Sequence, residues 1–374
     1  MRPHLPVLAT ATLLTLGCAT AGLSPAGDDV ARELRSRGLD PATVVVPHEI
    51  TDEMRDWARA QVPEGAAAED RLDVLLAAMV DPERLHLTYE PGQTATAAEA
   101  FAARKANCLA FTSLFVGMAR ALGTPAFYVA VDDVERFEKD GDLMVISGHV
   151  SAGYDAGTGG TLKILDFTPD EQPGYRRVHR LSDLTAIALY HSNRGAELLR
   201  AGRLDEAMPW LRKAVEIDPE LGGAWVNLGV ALRRGGDVQA AEAAYHQALE
   251  ADPSTVAAYQ NLASLLRARG RDQEAEELLA LAARLSSRNP FSYLALGDIS
   301  LAHGRTVEAR RFYQRALRLD REDAEAYAAL GEAALAAGNP EEARKWLRKA
   351  SARDQANERV RTLGTRLAAR AAVR

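Results

Sequence analysis

Residues 222–255 read GGAWVNLGVALRRGGDVQAAEAAYHQALEADPST, a pair of helical stretches that closes at Pro253. The outline returns every 34 residues from Ala188 onward without an insertion. Its small column is Gly195, Gly229, Ala263, Gly297 and Gly331, where a missing side chain lets paired helices approach closely. Two alanine columns, Ala207, Ala241, Ala275, Ala309, Ala343 and Ala214, Ala248, Ala282, Ala316, Ala350, flank the apolar knobs Leu211, Tyr245, Leu279, Tyr313 and Leu347. A unit of this kind cannot bury its apolar face alone, so the units stack and the last one needs a polar cap. Glu358 to Ala371, with Val360, Leu363 and Leu367 turned one way, suits that cap.

The 34-residue period is that of tetratricopeptide repeats, and the columns resemble that family. Pro219 and Pro253 end two second helices as its pattern asks, while Ser287, Arg321 and Gln355 stand there in later repeats. The resemblance implies an all-α superhelix over 188–357, capped by 358–374, with a concave groove for a protein or peptide. In the family the column of Asn193, Asn227 and Asn261 faces that groove, where an amide both donates to and accepts from a ligand backbone. Arg200, Arg234 and Arg267 lie further along the same helices, where they are placed to meet carboxylates. These six residues form the expected peptide-binding groove.

The 374 residues exceed one ordinary core, so two folded regions and a processed N-terminus are expected. With 45 basic against 52 acidic residues there is no basic excess to meet phosphates, so nucleic acid is not an expected partner. After Met1-Arg2-Pro3-His4 an apolar run extends from Leu5 to Leu16, far short of the roughly 20 residues of a membrane span. It reads as a signal peptide, residues 1–17. Its end, Leu14-Thr15-Leu16-Gly17-Cys18, resembles the lipobox of bacterial lipoproteins. That resemblance implies lipidation of Cys18, a membrane anchor and a tether over 18–27. Ala19 rather than aspartate after the cysteine points to the outer membrane, facing the periplasm. Ordinary cleavage near Ala19 or Ala21 is the alternative.

Between tether and repeats, helices are expected over Asp29 to Arg37, Asp52 to Gln61 and Ala68 to Val80, and a short strand at Leu85 to Tyr89. Thr96 and Glu99 stand at capping-box spacing. Cys108, Phe111, Phe115, Met118 and Leu122 then form a buried helical stripe that Gly123 and Pro125 end. Phe127 to Val131 reads as a strand, Asp132 to Asp142 as a charged loop, and Val145 to Tyr154 with Thr161 to Phe167 as a hairpin around residues 155–160. Pairing Tyr154 with Thr161 puts His149 opposite Asp166, an imidazole beside a carboxylate.

The order Asn107-Cys108-Leu109 at a helix start, Gly148-His149-Val150 on one strand and Leu165-Asp166-Phe167 on the next resembles the transglutaminase-like superfamily, from about Thr51 to Leu181. It is most similar to bacterial lipoproteins that join such a domain to tetratricopeptide repeats. Ala106 departs from the glycine those relatives tend to carry before the Asn-Cys pair. The resemblance implies an α+β, papain-like domain over 28–187 with Cys108, His149 and Asp166 as its catalytic residues. A helix N-terminus and an imidazolium each favour the thiolate that attacks a carbonyl. A carboxylate orients the imidazole, and the Cys108 amide is a first donor to an oxyanion. His48, His86, His179, His191, His246 and His303 lack a cross-strand acid in this reading.

No paired cysteines, His-x-x-x-His or calcium-loop spacing occurs, so neither a metal nor a cofactor is expected. Two functions follow. One is an envelope lipoprotein whose thiol acts on peptide or amide bonds through a thioester, as hydrolase or acyltransferase, while the repeats hold substrate or partner. The other is a catalytically silent scaffold for envelope complexes.

Overall fold

The computed structural model describes residues 9–10, 26–140, 143–156, 161–165 and 177–372 of the chain. The chain falls into two compact units, residues 1–138 with 146–252 and residues 139–145 with 253–374.

The first unit is built around one helix. Asn107 caps α5 (Cys108–Ala121) by accepting a hydrogen bond from the Ala110 amide at 2.9 Å. Every residue from Leu109 to Ala119 is buried, so the expected stripe is in fact a helix enclosed on all sides, while Cys108 at its start is only half-buried. An apolar helix with no polar face has no other stable place. Around it lie α2 (Asp52–Gln61), α3 (Ala68–Val80) and α4 (Ala97–Ala103), the first two with the bounds expected from their sequence periodicity. The Thr96 capping box forms, with the Thr96 amide donating to Glu99 Oε2 at 2.8 Å and the Glu99 amide to Thr96 Oγ1 at 3.2 Å. Ahead of these, α1 (Ala26–Ser36) packs Val30 and Leu34 on Leu184 and Ile187.

The sheet comprises β1 (Ala9–Thr10), β4 (Phe127–Asp140), β5 (Leu143–Ala156), β6 (Thr161–Leu165) and β7 (Val178–Arg180), in the order β1-β6-β5-β4-β7. Three expectations are corrected. The charged stretch from Asp132 is strand as far as Asp140. The strand expected over Leu85 to Tyr89 shrinks to β2 (Thr88–Tyr89), parallel to β3 (Lys105–Ala106), because His86 has a left-handed φ of 55°. The hairpin pairs Tyr154 with Lys163 and Ala156 with Thr161, so partner numbers sum to 317 rather than 315. Asp155 and Ala156 stay in the ladder, and the pair that would set His149 opposite Asp166, Tyr154 with Thr161, does not form. Asp166 itself lies outside the described residues.

No free linker separates the domain from the repeats. Helix α6 (Asp183–Arg200) places Ala186 and Tyr190 in the core around α5, while its C-terminal part pairs with α7 (Leu204–Ile217) as the first repeat. Arg120 fixes the junction with two hydrogen bonds to Asp183, at 2.6 and 2.8 Å. Behind it, buried His48 meets the Tyr128 hydroxyl at 3.2 Å, and that hydroxyl donates to Ser113 Oγ at 3.0 Å. Burial acts to raise the Asp183 carboxyl, but the hydrogen bonds and charge of Arg120 outweigh it and hold the group below its usual range. The second repeat, α8 (Gly222–Arg234) with α9 (Val238–Ala251), ends this unit.

The second unit continues with the hairpins α10 (Val256–Ala268)/α11 (Asp272–Leu285), α12 (Pro290–Ala302)/α13 (Thr306–Leu319) and α14 (Ala324–Ala336)/α15 (Pro340–Ser351), then α16 (Glu358–Ala372). The small column does what its spacing implies, since a Cβ on Gly229 would stand 2.5 Å from the Tyr245 ring. In the last repeat the side chain over Gly331 is Leu363 of α16 rather than Leu347. From the same helix Arg359 reaches Glu332 and Tyr313, and at 2.6 Å Asp298. The turns add a column not read from the sequence: Gly202, Gly236, Gly270, Gly304 and Gly338 all have φ between 72° and 85°, where a side chain is strained.

Candidate functional site

The thiol of Cys108 opens α5, and the helix bears it at a terminus whose amides have no helical acceptor. One turn on, the Thr112 hydroxyl lies 2.8 Å from the Cys108 carbonyl oxygen and 3.3 Å from that of Val150. Thr112 thus ties the turn that carries the thiol to the strand residue next to His149. That histidine is buried, and its Nε2 meets Ser151 Oγ at 3.1 Å, two residues along the same face of β5. Of the residues expected to act together, Cys108 and His149 therefore sit on elements joined by a direct hydrogen bond, whereas Asp166 lies outside the described residues. Cys18 does too.

Asn107, the residue before the thiol, donates from Nδ2 to Thr94 Oγ1 at 3.1 Å. Thr94 is buried, and two α6 side chains hold its backbone: its amide donates to Glu197 Oε1 at 2.6 Å, and Arg194 Nη1 reaches its carbonyl at 3.4 Å. Arg194 and Glu197 pair with each other at 3.1 Å. Tyr190, one turn before Arg194, is pushed up to about 12 by burial, with Glu99 adding to the effect. Neither Thr94 nor Glu197 stood out in the sequence. A threonine before a capping box and a glutamate on a repeat helix are commonplace, and only the fold brings them together.

The expected groove residues separate. Asn261 is buried at 1 % exposure, so its amide is not offered to a ligand. Asn227 donates from Nδ2 to Ser192 Oγ of the preceding repeat at 2.9 Å, and Arg234 donates to the Leu199 carbonyl at 3.0 Å, capping α6. Both join repeat to repeat, because an amide or guanidinium between stacked helices must satisfy the carbonyls and hydroxyls it covers. Asn193 and Arg267 are half-buried and Arg200 is exposed. Among the described residues no three His, Cys, Asp or Glu side chains cluster as metal ligands, and no helix is long and apolar enough to cross a membrane.

Residues 67–152 match the transglutaminase-like superfamily, a segment that holds Cys108 and His149 and stops short of Asp166. Tetratricopeptide repeats match over 188–221, 226–290 and 300–367. The chain thus carries a transglutaminase-like domain followed by tetratricopeptide repeats. Among solved structures it is similar to one from a functional characterization of Pseudomonas aeruginosa pilF, with 25% identity over 48% of this chain and 82% of that one and a TM-score of 0.44. YrrB, described as a TPR protein with an unusual peptide-binding site, is 20% identical over 48% of this chain and 92% of its own, with a TM-score of 0.38. A thermophilic TPR protein of Thermus thermophilus is 23% identical over 49% and 97%, with a TM-score of 0.41. No curated protein matches the chain.

Proposed function

We propose that this chain is an envelope lipoprotein whose transglutaminase-like domain acts on peptide or amide bonds through a thioester on Cys108, while its repeats hold the substrate or a partner protein. The observation that carries the reading is the Thr112 hydroxyl shared between the carbonyls of Cys108 and Val150, which couples the thiol's helix turn to the strand of His149. The match over 67–152, spanning both residues, supports it.

In this reaction the Cys108 sulfur attacks the carbonyl carbon as a thiolate, and its proton passes to His149. The C–N bond breaks as the amine leaves with that proton, and a C–S bond remains. Water or a second amine then attacks the thioester and restores the thiol, giving hydrolysis or a crosslink. Asp166 orients the imidazole, and the Cys108 amide at the open helix end faces the oxyanion.

The test is alkylation of the intact chain with iodoacetamide at pH 6, read by mass spectrometry on the peptide that contains Cys108. Rapid labelling that falls about tenfold or more in His149→Ala supports the enzyme. Equal, slow labelling with and without His149 replaces it with the catalytically silent scaffold. The anchor is tested separately. Wild-type protein expressed in a Gram-negative host incorporates labelled fatty acid and sediments with outer membranes, and Cys18→Ala does neither. Membrane association that survives Cys18→Ala overturns the anchor.

A further inference from the structure

The structure assigns to Glu197, acting through Thr94 and Asn107, the role of a positioning residue for Cys108. This rests on the reading of Cys108 as the nucleophile and adds a part to it that lies in the first repeat rather than in the catalytic domain.

Three contacts hold Thr94. Its amide donates to Glu197 Oε1 at 2.6 Å, its carbonyl meets Arg194 Nη1 at 3.4 Å and its hydroxyl accepts from Asn107 Nδ2 at 3.1 Å. Asn107 in turn uses its other amide atom, Oδ1, on the Ala110 amide at 2.9 Å. The Asn107 side chain is therefore pinned at both ends, by the helix it caps and by a residue that α6 holds. An N-cap with one free end can rotate away and let the first turn fray, and Cys108 is the first residue of that turn. With both ends held, the open amides that favour an anionic sulfur and an oxyanion keep their direction.

The anchoring bond is short and charge-assisted, the class whose loss costs most. Glu197 is 17% exposed and Arg194 30%, so water competes only partly for the pair. Arg194 also stands 6.0 Å over the Trp210 ring, which fixes the arginine against the second helix of the repeat. The brace thus runs from the body of the repeat to the helix turn that bears the thiol.

The experiment uses the full chain with Glu197→Ala, Glu197→Gln and Thr94→Val. Two readouts are taken: the pH profile of Cys108 alkylation between pH 5.5 and 9, and hydrogen exchange of the Ala110 and Phe111 amides, which donate to the side chain and the backbone of Asn107. Glu197→Ala and Thr94→Val are expected to slow alkylation about tenfold at pH 6, with a smaller loss at pH 9, and to speed exchange of the first turn by a similar factor. Glu197→Gln keeps an acceptor for the Thr94 amide and is expected to stay within about threefold of wild type. A wild-type profile and wild-type exchange in Glu197→Ala overturn the proposal, as does a loss in Glu197→Gln equal to that in Glu197→Ala. If Glu197→Ala fails to fold, Thr94→Val decides by the same criteria. Slow alkylation of the wild-type protein at every pH sinks the nucleophile reading alone, and exchange at Ala110 and Phe111 still decides the brace.

Discussion

Acidification from pH 6.5 to pH 4 removes up to roughly 6 kcal/mol from the first unit, about half through each of two histidines outside the thiol site. Burial pushes His48 down to about 4; Asp183 opposes that shift and Arg120 adds to it. Burial also pushes His191 down to about 4, although its Nε2 contact with the Val45 carbonyl, at 3.2 Å, works the other way. In the unfolded chain both rings bind a proton near pH 6.5, whereas the folded chain keeps them neutral until about pH 4. Between those values the unfolded state holds more protons, so stability falls as pH falls and is flat above the window. The check is a series of thermal melts from pH 4 to pH 7.5, followed through Trp57, Trp210 and Trp225. Replacing both histidines by glutamine should flatten the slope, whatever it does to stability at pH 7.5. An unchanged slope in that double variant would refute the account.

The second large effect turns on one atom. Ala in place of Gly117 in α5 puts a Cβ well inside contact distance of the His48 carbonyl oxygen and 2.7 Å from Ile50 Cγ2. Glycine to alanine inside a helix ordinarily gains up to about 1 kcal/mol from backbone entropy. Here the obstacle is backbone, which cannot rotate aside, and overpacking of a full core costs roughly 1–3 kcal/mol or more. Packing wins, and Gly117→Ala should lower the melting temperature by about 4–8 °C, the equivalent of a net loss near 2 kcal/mol. The same exchange at Gly223, exposed on α8 with nothing within 4 Å of its Cβ, should be neutral or stabilising. Equal effects at the two sites would show that the contact with His48 is not what selects glycine.

The sequence carried the repeats because each rule there is local. A small residue recurs because a neighbour at a fixed spacing, Leu211 over Gly195, Tyr245 over Gly229 and Tyr313 over Gly297, fills its space. The start of α5 was legible for a similar reason, Asn107 being a cap whose partner lies three residues on. Register was not legible. Residues 155–160 all suit a turn, yet Asp155 and Ala156 pair across the ladder, and composition does not say how many turn-prone residues a reversal uses. The charged run from Asp132 misled likewise, since charge marks solvent rather than loop. The asparagine column was legible, but the partners of its members were not. Only the stacked helices reveal that Asn227 answers Ser192 and that Asn261 is enclosed. Thr94 and Glu197 are 103 residues apart and no local pattern links them.

Arg359 bears on how such an array can lengthen. Repeats multiply by duplication, which is harmless when each unit meets only the next. Here α16 places Leu363 over Gly331 of the last repeat and sends Arg359 to Asp298 of the one before. Asp298 and Glu332 stand in the same column of successive repeats, so a copy inserted after Gly331 keeps the guanidinium satisfied only if it too carries an acid there. The cap thus constrains the composition of two repeats rather than of one.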